Sequence, residues 1–344
     1  MTRSSFTFAG LTLTLLFGFF AAVTPGQSLG TSSGVGHSAG PQSDGQRATA
    51  GPPWFKTGVD LVSLDICVRD PSGRFVPDLS PDDFVVLEDG TPQQIGFLVP
   101  SSAVSLTGVL LIDVSQSMWG SKLKHALKAA SDFAELLRPD DRLAMIAFNH
   151  RATRVHAFGD DPTHVPTALS SSIGAILSSN DSSRLSTALY DALLVGANEI
   201  LRARGGPLPE TREVIIVLSD GEDTSSLVGF DEVLPVLRRS GALVYSVSLR
   251  ANERGEWLGA NWPMLAVARD TGARALAIPR LEALPALYRE IDAEVRHMYR
   301  LAYVSNNDRR DGQWRTISVR VPTRDARVRT RSGYYAPRTV TAPF

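Results

Sequence analysis

The sequence predicts an α/β protein: a doubly wound, mainly parallel sheet, with a small flanking β domain built from both chain ends. Three observations lead to this fold class. Strand-like and helix-like segments alternate through residues 103–297, which is typical of an open sheet covered by helices. The first strand of this region, at 106–113, is almost continuously apolar, as expected for a strand that is buried on both faces. The segments on either side instead alternate apolar and polar residues with the period of a half-buried strand.

The central region supplies five predicted strands and five predicted helices. Strands are expected at 106–113, 142–148, 214–219, 242–249 and 274–277. Helices are expected at 121–137, 189–201, 230–239, 264–271 and 281–297. The first helix is amphipathic, so one face should pack on the sheet. Ligands of such folds bind beyond the carboxyl ends of the strands, at the point where the strand order reverses.

Each flank of the central region is predicted to hold two or three alternating strands. The first flank has strand patterns at 59–68 and 84–88, then Asp89-Gly90, a strong hairpin signal, and a returning strand at 94–99. The second flank has patterns at 298–304, 314–321 and 326–329. A sheet needs three or more strands with an apolar face for independent stability. We therefore expect the two flanks to pair as one antiparallel β domain.

The amino terminus is expected to lie outside the fold. Residues 1–26 have the layout of a secretory signal peptide, because Arg3 precedes an apolar run that small residues follow. An uncleaved membrane anchor is the alternative, since the run is near the lower limit for spanning a bilayer. We expect a secreted or cell-envelope (periplasmic) protein.

The domain boundaries follow from these patterns. Residues 27–54 are rich in Gly, Ser, Gln and Pro, which predicts a disordered linker. The β domain is assigned to 55–102 and 298–336, on either side of the central domain at 103–297. Residues 337–344 are a tail.

Composition excludes several functions. The formal net charge of -1 gives no indication of a nucleic-acid or acidic-membrane partner. Cys67 is the only cysteine, which excludes an intrachain disulfide and a thiolate zinc site, and its strand-like surroundings predict a small buried side chain. Residues 36–40 match the letters of a lipase nucleophile elbow, but that motif requires a flanking strand and helix, and both flanks here are Ser- and Gly-rich.

Oxygen-bearing side chains follow two of the predicted buried strands. Asp113, Ser115 and Ser117 come at the end of the first strand, and Asp220 follows the strand at 214–219. No Lys or Arg lies next to either Asp, so a hard cation with oxygen ligands would neutralise both. The alternative is that the serines cap a helix and that Asp220 makes a turn. That alternative does not explain the separate oxygen clusters.

The order of these residues resembles a known metal site. Asp-x-Ser-x-Ser at 113–117, Thr187 at the start of a helix and Asp220 after a later strand match the metal ion-dependent adhesion site of von Willebrand factor A (VWA) domains. The resemblance covers roughly 104–297. Residues 83–90 and 331–334 resemble the flanks of bacterial VWFA-related domain proteins.

The resemblance implies both the ligands and the metal. The implied ligand residues are Asp113, Ser115, Ser117, Thr187 and Asp220, and the implied metal is Mg²⁺, or else Mn²⁺ or Ca²⁺. Many relatives have Gly before the coordinating Thr, where this chain has Ser186. Either hydroxyl could therefore face the metal, and the following Ala-Leu-Tyr-Asp-Ala favours Thr187.

The implied function is that of an exported, non-catalytic binding module. Mg²⁺ requires six oxygens, so an Asp or Glu of a protein partner would complete its coordination. One alternative is a metal-dependent enzyme of phosphoryl or ester hydrolysis, which needs a nucleophile or general base beside the metal. The other is a structural subunit of an envelope complex, in which the metal serves stability only.

Overall fold

The computed structural model describes residues 61–99, 104–178, 185–204, 211–250 and 262–338. The expected signal peptide (1–26), the linker (27–54) and most of the tail (337–344) lie outside the described residues. Within the described ranges, no helix has the length and apolar character needed to cross a membrane.

The strands, in chain order, are β1 (Leu61–Arg69), β2 (Val85–Glu88), β3 (Thr91–Gln93), β4 (Ile95–Val99), β5 (Ser105–Asp113), β6 (Arg142–Phe148), β7 (Ala152–His156), β8 (Thr211–Ser219), β9 (Leu243–Ser248), β10 (Ala275–Ala277), β11 (Tyr299–Val304), β12 (Trp314–Arg320), β13 (Arg327–Arg329) and β14 (Gly333–Tyr335). The helices are α1 (Ser121–Ala134), α2 (Val165–Ser178), α3 (Leu189–Ala203), α4 (Phe230–Ser240), α5 (Trp262–Thr271) and α6 (Leu284–His297).

Six strands form the central sheet, in the order β10-β9-β8-β5-β6-β7. β7 is antiparallel to β6, and every other neighbouring pair is parallel. Along the chain, the central sheet begins with β5 and adds β6 and β7 on one side. The chain then returns to add β8, β9 and β10 on the other side. The strand order therefore reverses between β5 and β8, and their carboxyl ends form the crevice where such folds bind ligands.

Helices cover both faces of this sheet because β5 is apolar on both. Leu110 and Ile112 point into a core shared with α1, α2 and α6, whereas Val109 and Leu111 point into a core shared with α3, α4 and α5. Gly196 lets α3 approach closely, since a side chain there would meet Leu111 at 3.3 Å. The prediction of a doubly wound, mainly parallel sheet is confirmed.

The two flanks form two four-stranded sheets, with the orders β13-β1-β11-β4 and β14-β12-β2-β3. Leu64 of β1 pairs with Leu301 of β11, and Val86 of β2 pairs with Val319 of β12, both in antiparallel register. The inner faces of both sheets share one core. The expected β domain built from both chain ends is therefore confirmed, although it consists of two facing sheets.

Several elements differ from the sequence prediction. The hairpin at Asp89-Gly90 returns through the short strand β3, which pairs with β2, whereas the strand predicted at 94–99 is β4, which pairs with β11 in the other sheet. The first helix ends at Ala134 because the next N–H groups bond three residues back, Leu136 to Phe133 and Leu137 to Ala134. Neither β7 nor α2 was expected. α2 does carry a signal, since three buried apolar residues recur four apart (Val165, Leu169 and Ile173), but three consecutive serines interrupt the pattern.

Buried ion pairs join the β domain to the central sheet. Arg212 of β8 is only 1% exposed, and its Nε donates to Asp65 Oδ1 on β1 at 2.9 Å. Arg300 of β11 contacts the other oxygen of Asp65 at 2.9 Å. Arg212 also donates to the carbonyl of Met298 at 3.0 Å. The Asp65 carboxylate thus binds one guanidinium group from the central sheet, that of Arg212, and one from the β domain, that of Arg300.

Candidate metal centre

Asp113 is the last residue of β5, and its side chain is fully buried. Its Oδ1 accepts a hydrogen bond from the backbone N–H of Ser115 at 2.8 Å, and its Oδ2 accepts one from the Ser219 hydroxyl at 2.5 Å. Burial raises the pKa of the Asp113 carboxyl to about 6. Both hydrogen-bond donors are neutral, so among the described residues no ion pair neutralises this charge.

The loop after β5 brings two serine hydroxyls to the same edge. A short 3-10 turn follows Asp113, in which the Met118 N–H bonds to the carbonyl of Ser115 at 3.0 Å, and Met118 is buried beneath it. Ser115 Oγ lies 3.3 Å from Ser117 Oγ. The Ser117 hydroxyl then donates to Asp220 Oδ1 at 2.5 Å, so the loop is joined to the end of β8 across the switch point.

Lys122 lies against Asp220. Its Nζ forms an ion pair with Asp220 Oδ2 and also donates to the carbonyl of Ser117 at 3.1 Å. Gly120 makes this approach possible: its φ of 82°, which side-chain-bearing residues rarely adopt, turns the chain from the loop directly into α1. The expectation that no Lys or Arg lies next to either Asp is therefore wrong for Asp220.

Thr187 reaches the same edge from the start of α3. Its backbone N–H donates to the Thr224 hydroxyl at 2.9 Å, and its carbonyl accepts the Thr224 N–H at 2.8 Å. A side-chain carbon placed on Gly221 would lie 3.6 Å from Thr187 Oγ1. The Thr187 hydroxyl is therefore beside the residue that follows Asp220, and all five predicted site residues come together at the carboxyl edge of β5 and β8.

The structure adds two residues that sequence reasoning did not assign to the site. Ser219 supports the Asp113 carboxylate, as described above. Asp223 caps α3 from a distance of more than thirty residues, because its Oδ1 accepts the N–H of Leu189 at 2.8 Å. A carboxylate at a helix start satisfies free N–H groups and complements the helix dipole. No local signal identifies this cap, since the two partners meet only through the fold.

The donor set fits a hard divalent cation. It consists of two carboxylates and three hydroxyls, and oxygen ligands of this kind suit Mg²⁺, Mn²⁺ and Ca²⁺. Within the described ranges, no group of three or more His, Cys, Asp and Glu residues could hold a metal, so the hydroxyls would have to take part. Asp113 supplies the observation that favours a cation here: a buried charge with only neutral donors around it.

Comparisons with known proteins match the central region. Residues 109–260 match the family model for the von Willebrand factor type A domain. No curated protein matches the chain. Among solved structures, an aerotolerance-related membrane protein from Bacteroides fragilis NCTC 9343 is similar, with 16% identity over 56% of this chain and 98% of that chain, and a TM-score of 0.42.

Two further solved structures have similar values. The conserved hypothetical protein BatB from Bacteroides thetaiotaomicron has 19% identity over 55% of this chain and 98% of that chain, with a TM-score of 0.39. Proximal thread matrix protein 1 from the mussel byssus, with a zinc-occupied MIDAS motif, has 17% identity over 61% of this chain and 50% of that chain, with a TM-score of 0.45. The family match at 109–260 spans Asp113, Thr187 and Asp220, and we conclude that the chain contains a von Willebrand factor type A domain.

Proposed function

We propose that this protein is a non-catalytic binding module that holds one divalent metal and, through it, a carboxylate of a protein partner. Asp113, Ser115, Ser117, Thr187 and Asp220 would hold the metal, with Mg²⁺ as the first candidate and Mn²⁺ or Ca²⁺ as alternatives. When bound, the metal would supply a positive coordination position for a carboxylate oxygen of the partner.

The buried carboxylate of Asp113 carries this proposal. An ionised group away from water is costly unless it is paired, and the hydrogen bonds from Ser115 and Ser219 bring no positive charge. A divalent cation would neutralise Asp113 and Asp220 together. Mg²⁺ takes six oxygen ligands, so the five side chains would leave a coordination position for a carboxylate oxygen of the partner.

A binding role accounts for the donor set better than catalysis does. A hydrolase of this kind needs a nucleophile with a base to activate it. The Ser117 hydroxyl donates to Asp220, but this carboxylate is already paired with the Lys122 amine and is proposed to hold the metal, so it is not free to act as a base. The amine of Lys122 is held by Asp220, so it is not poised as a base. We also propose that the protein acts outside the cytoplasm, because residues 1–26 have the layout of a secretory signal peptide.

Isothermal titration calorimetry on the full chain tests the metal site. We expect one Mg²⁺ or Mn²⁺ per chain, with affinity at least tenfold weaker in Asp113→Ala, since even outer-shell changes cost about 10- to 100-fold. Asp140→Ala is the matched control, because Asp140 is exposed in the turn before β6. Equal affinity in wild type and Asp113→Ala would refute the assignment.

A further inference from the structure

Leu227, in the loop after β8, is 94% exposed, although its backbone is firmly held. Its N–H donates to Asp191 Oδ2 at 3.0 Å, and the N–H of Val228 donates to Asp191 Oδ1 at 3.1 Å. The hydroxyl of Ser226 accepts the N–H of Tyr190 at 3.0 Å. The loop is thus fixed to the first turn of α3, and it presents a large apolar side chain to solvent.

Three aromatic rings follow one another across the starts of α3, α4 and α5, and the first of them belongs to the helix turn that holds this loop. The ring of Tyr190 is 5.8 Å from that of Phe230, and the ring of Phe230 is 5.2 Å from that of Trp262, measured between centroids. Trp262 is 61% exposed. We name the surface formed by Leu227, Tyr190, Phe230 and Trp262 the apolar ledge.

The apolar ledge and the candidate metal centre are both built on the start of α3 and on the loop after β8. Tyr190 follows Thr187 by three residues, and α3 begins between them, at Leu189. The carbonyl of Thr187 accepts the N–H groups of Thr224 at 2.8 Å and Ser225 at 3.2 Å, at the base of the loop that carries Leu227. A ligand held at the metal would therefore lie next to the ledge.

We propose that the apolar ledge binds a large apolar side chain that neighbours the metal-bound carboxylate in the partner's sequence. This inference rests on the proposed function and specifies the partner: a protein segment with one acidic residue and, within about three positions, a Leu, Ile, Met or Phe. An extended segment advances about 3.3 Å per residue, so three positions span about 10 Å.

The chemistry of the ledge selects this occupant over a second acidic group. Contiguous exposed apolar surface marks binding sites, and aromatic residues supply much of the energy of protein interfaces. Exposed acids stand around the ledge, at Glu222, Asp231 and Glu232. They would repel another carboxylate there, whereas an apolar side chain would bury surface without a charge penalty.

Peptide display on the immobilised full chain tests the inference. A random 12-residue library is selected in Mg²⁺, and bound peptides are released with EDTA. Selections run in parallel on wild type, on Leu227→Ser and on Leu201→Ser. Leu201 is the matched control, because it is an exposed leucine in the last turn of α3, about 16 Å from Tyr190 along the helix. Calorimetry with Mg²⁺ alone checks that each variant keeps the metal site.

The inference expects EDTA-released peptides that combine Asp or Glu with a large apolar residue within three positions. Leu227→Ser should retain the acid but reduce the apolar enrichment at least fivefold, and Leu201→Ser should behave as wild type. An unchanged apolar enrichment in Leu227→Ser would overturn the ledge while leaving the metal proposal intact. Weaker Mg²⁺ binding by Leu227→Ser would also overturn the ledge, because Leu227 would then support the metal site itself.

Two other outcomes would also overturn the inference. If EDTA releases no peptide from the wild-type protein, the protein has no metal-dependent carboxylate site. The proposed role of the ledge then fails as well, because it depends on that site. Self-association in sedimentation velocity that Leu227→Ser abolishes would assign the surface to a second copy of the chain.

Discussion

Lys122, in the first turn of α1, forms an ion pair with Asp220 at the end of β8, although 98 residues separate them. The Lys122 side chain remains 34% exposed, so its amine has a path to water. The pair places a protein cation on one of the two carboxylates proposed to hold the metal. Lys122 and the metal are therefore expected to compete for Asp220.

Lys122→Met should tighten Mg²⁺ binding by about two- to fivefold, because an ion pair whose amine is open to water is worth up to ~1 kcal/mol. The gain arises because Asp220 no longer has to release the amine. Calorimetry measures it, with Lys124→Met as the control, since Lys124 is exposed two residues further along α1. Weaker binding in Lys122→Met would show that the amine supports the site instead of competing for it.

Asp65→Asn should lower the free energy of unfolding by about 3–5 kcal/mol, the usual cost of breaking a buried pair. The reason is that Arg212 and Arg300 would both lose their shared carboxylate. Urea denaturation measures the change. Asp70→Asn is the control, because its partner Arg74 is 83% exposed, and such surface pairs contribute about 0–1 kcal/mol. Similar losses in the two variants would contradict the assigned junction.

Asp223→Ala should destabilise the protein by about 0.5–2 kcal/mol, the range for loss of a helix cap. Its carboxylate accepts N–H groups at the start of α3, and that start also positions Thr187. Chemical denaturation measures the loss, and calorimetry should show weaker Mg²⁺ binding as well. Asp223→Asn keeps an acceptor oxygen, so it should retain most of the stability and most of the Mg²⁺ affinity. A fully stable Asp223→Ala would remove the capping role.

Stability should fall as the pH drops below about 4, the ordinary pKa range of free carboxyls. Burial alone would raise the pKa of Asp65, but the guanidinium groups of Arg212 and Arg300 hold it well below its usual range. Burial would also raise the pKa of the Asp141 carboxyl. The hydrogen bond from Arg296 has the opposite effect, and the pKa is lowered overall. Carboxyls with a lowered folded pKa bind fewer protons in the folded state than in the unfolded state. Their contribution is therefore present above pH 4 and is lost as the pH falls towards the folded pKa.

Thermal unfolding between pH 2 and pH 7 measures this acid loss. Asp141→Asn should be less stable at neutral pH and should show a shallower decline below pH 4. A wild-type curve that is flat from pH 5 down to pH 2 would contradict the pH prediction.

Truncation after His297 should expose the first flank to protease. It removes β11, β12 and β13, which pair with β1 and β2. Residues 61–99 should then be cleaved much faster in limited proteolysis, while the central domain stays resistant. Equal resistance of 61–99 in the full and truncated chains would show that the first flank is stable alone.

Local patterns in the sequence were enough to predict the central fold and to place Asp113, Ser115, Ser117 and Asp220 at strand ends, and the resemblance to VWA domains added Thr187. Apolar periodicity separates strands from helices, and the order of Asp113, Thr187 and Asp220 along the chain shows where the oxygen clusters fall. These features depend on neighbouring residues, so they can be read without the tertiary structure. Where the local pattern is weak, the sequence gives no such signal. Helix α2 was missed because serines interrupt its apolar spacing.

Only the tertiary structure decided which distant groups meet. The contact of Lys122 with Asp220, the hydrogen bond from Ser219 to Asp113 and the cap that Asp223 provides for α3 all join separate elements. The crossing of β4 into the second sheet is of the same kind. Each depends on strand order and on the burial of whole faces, which fix the positions of side chains that no local period relates.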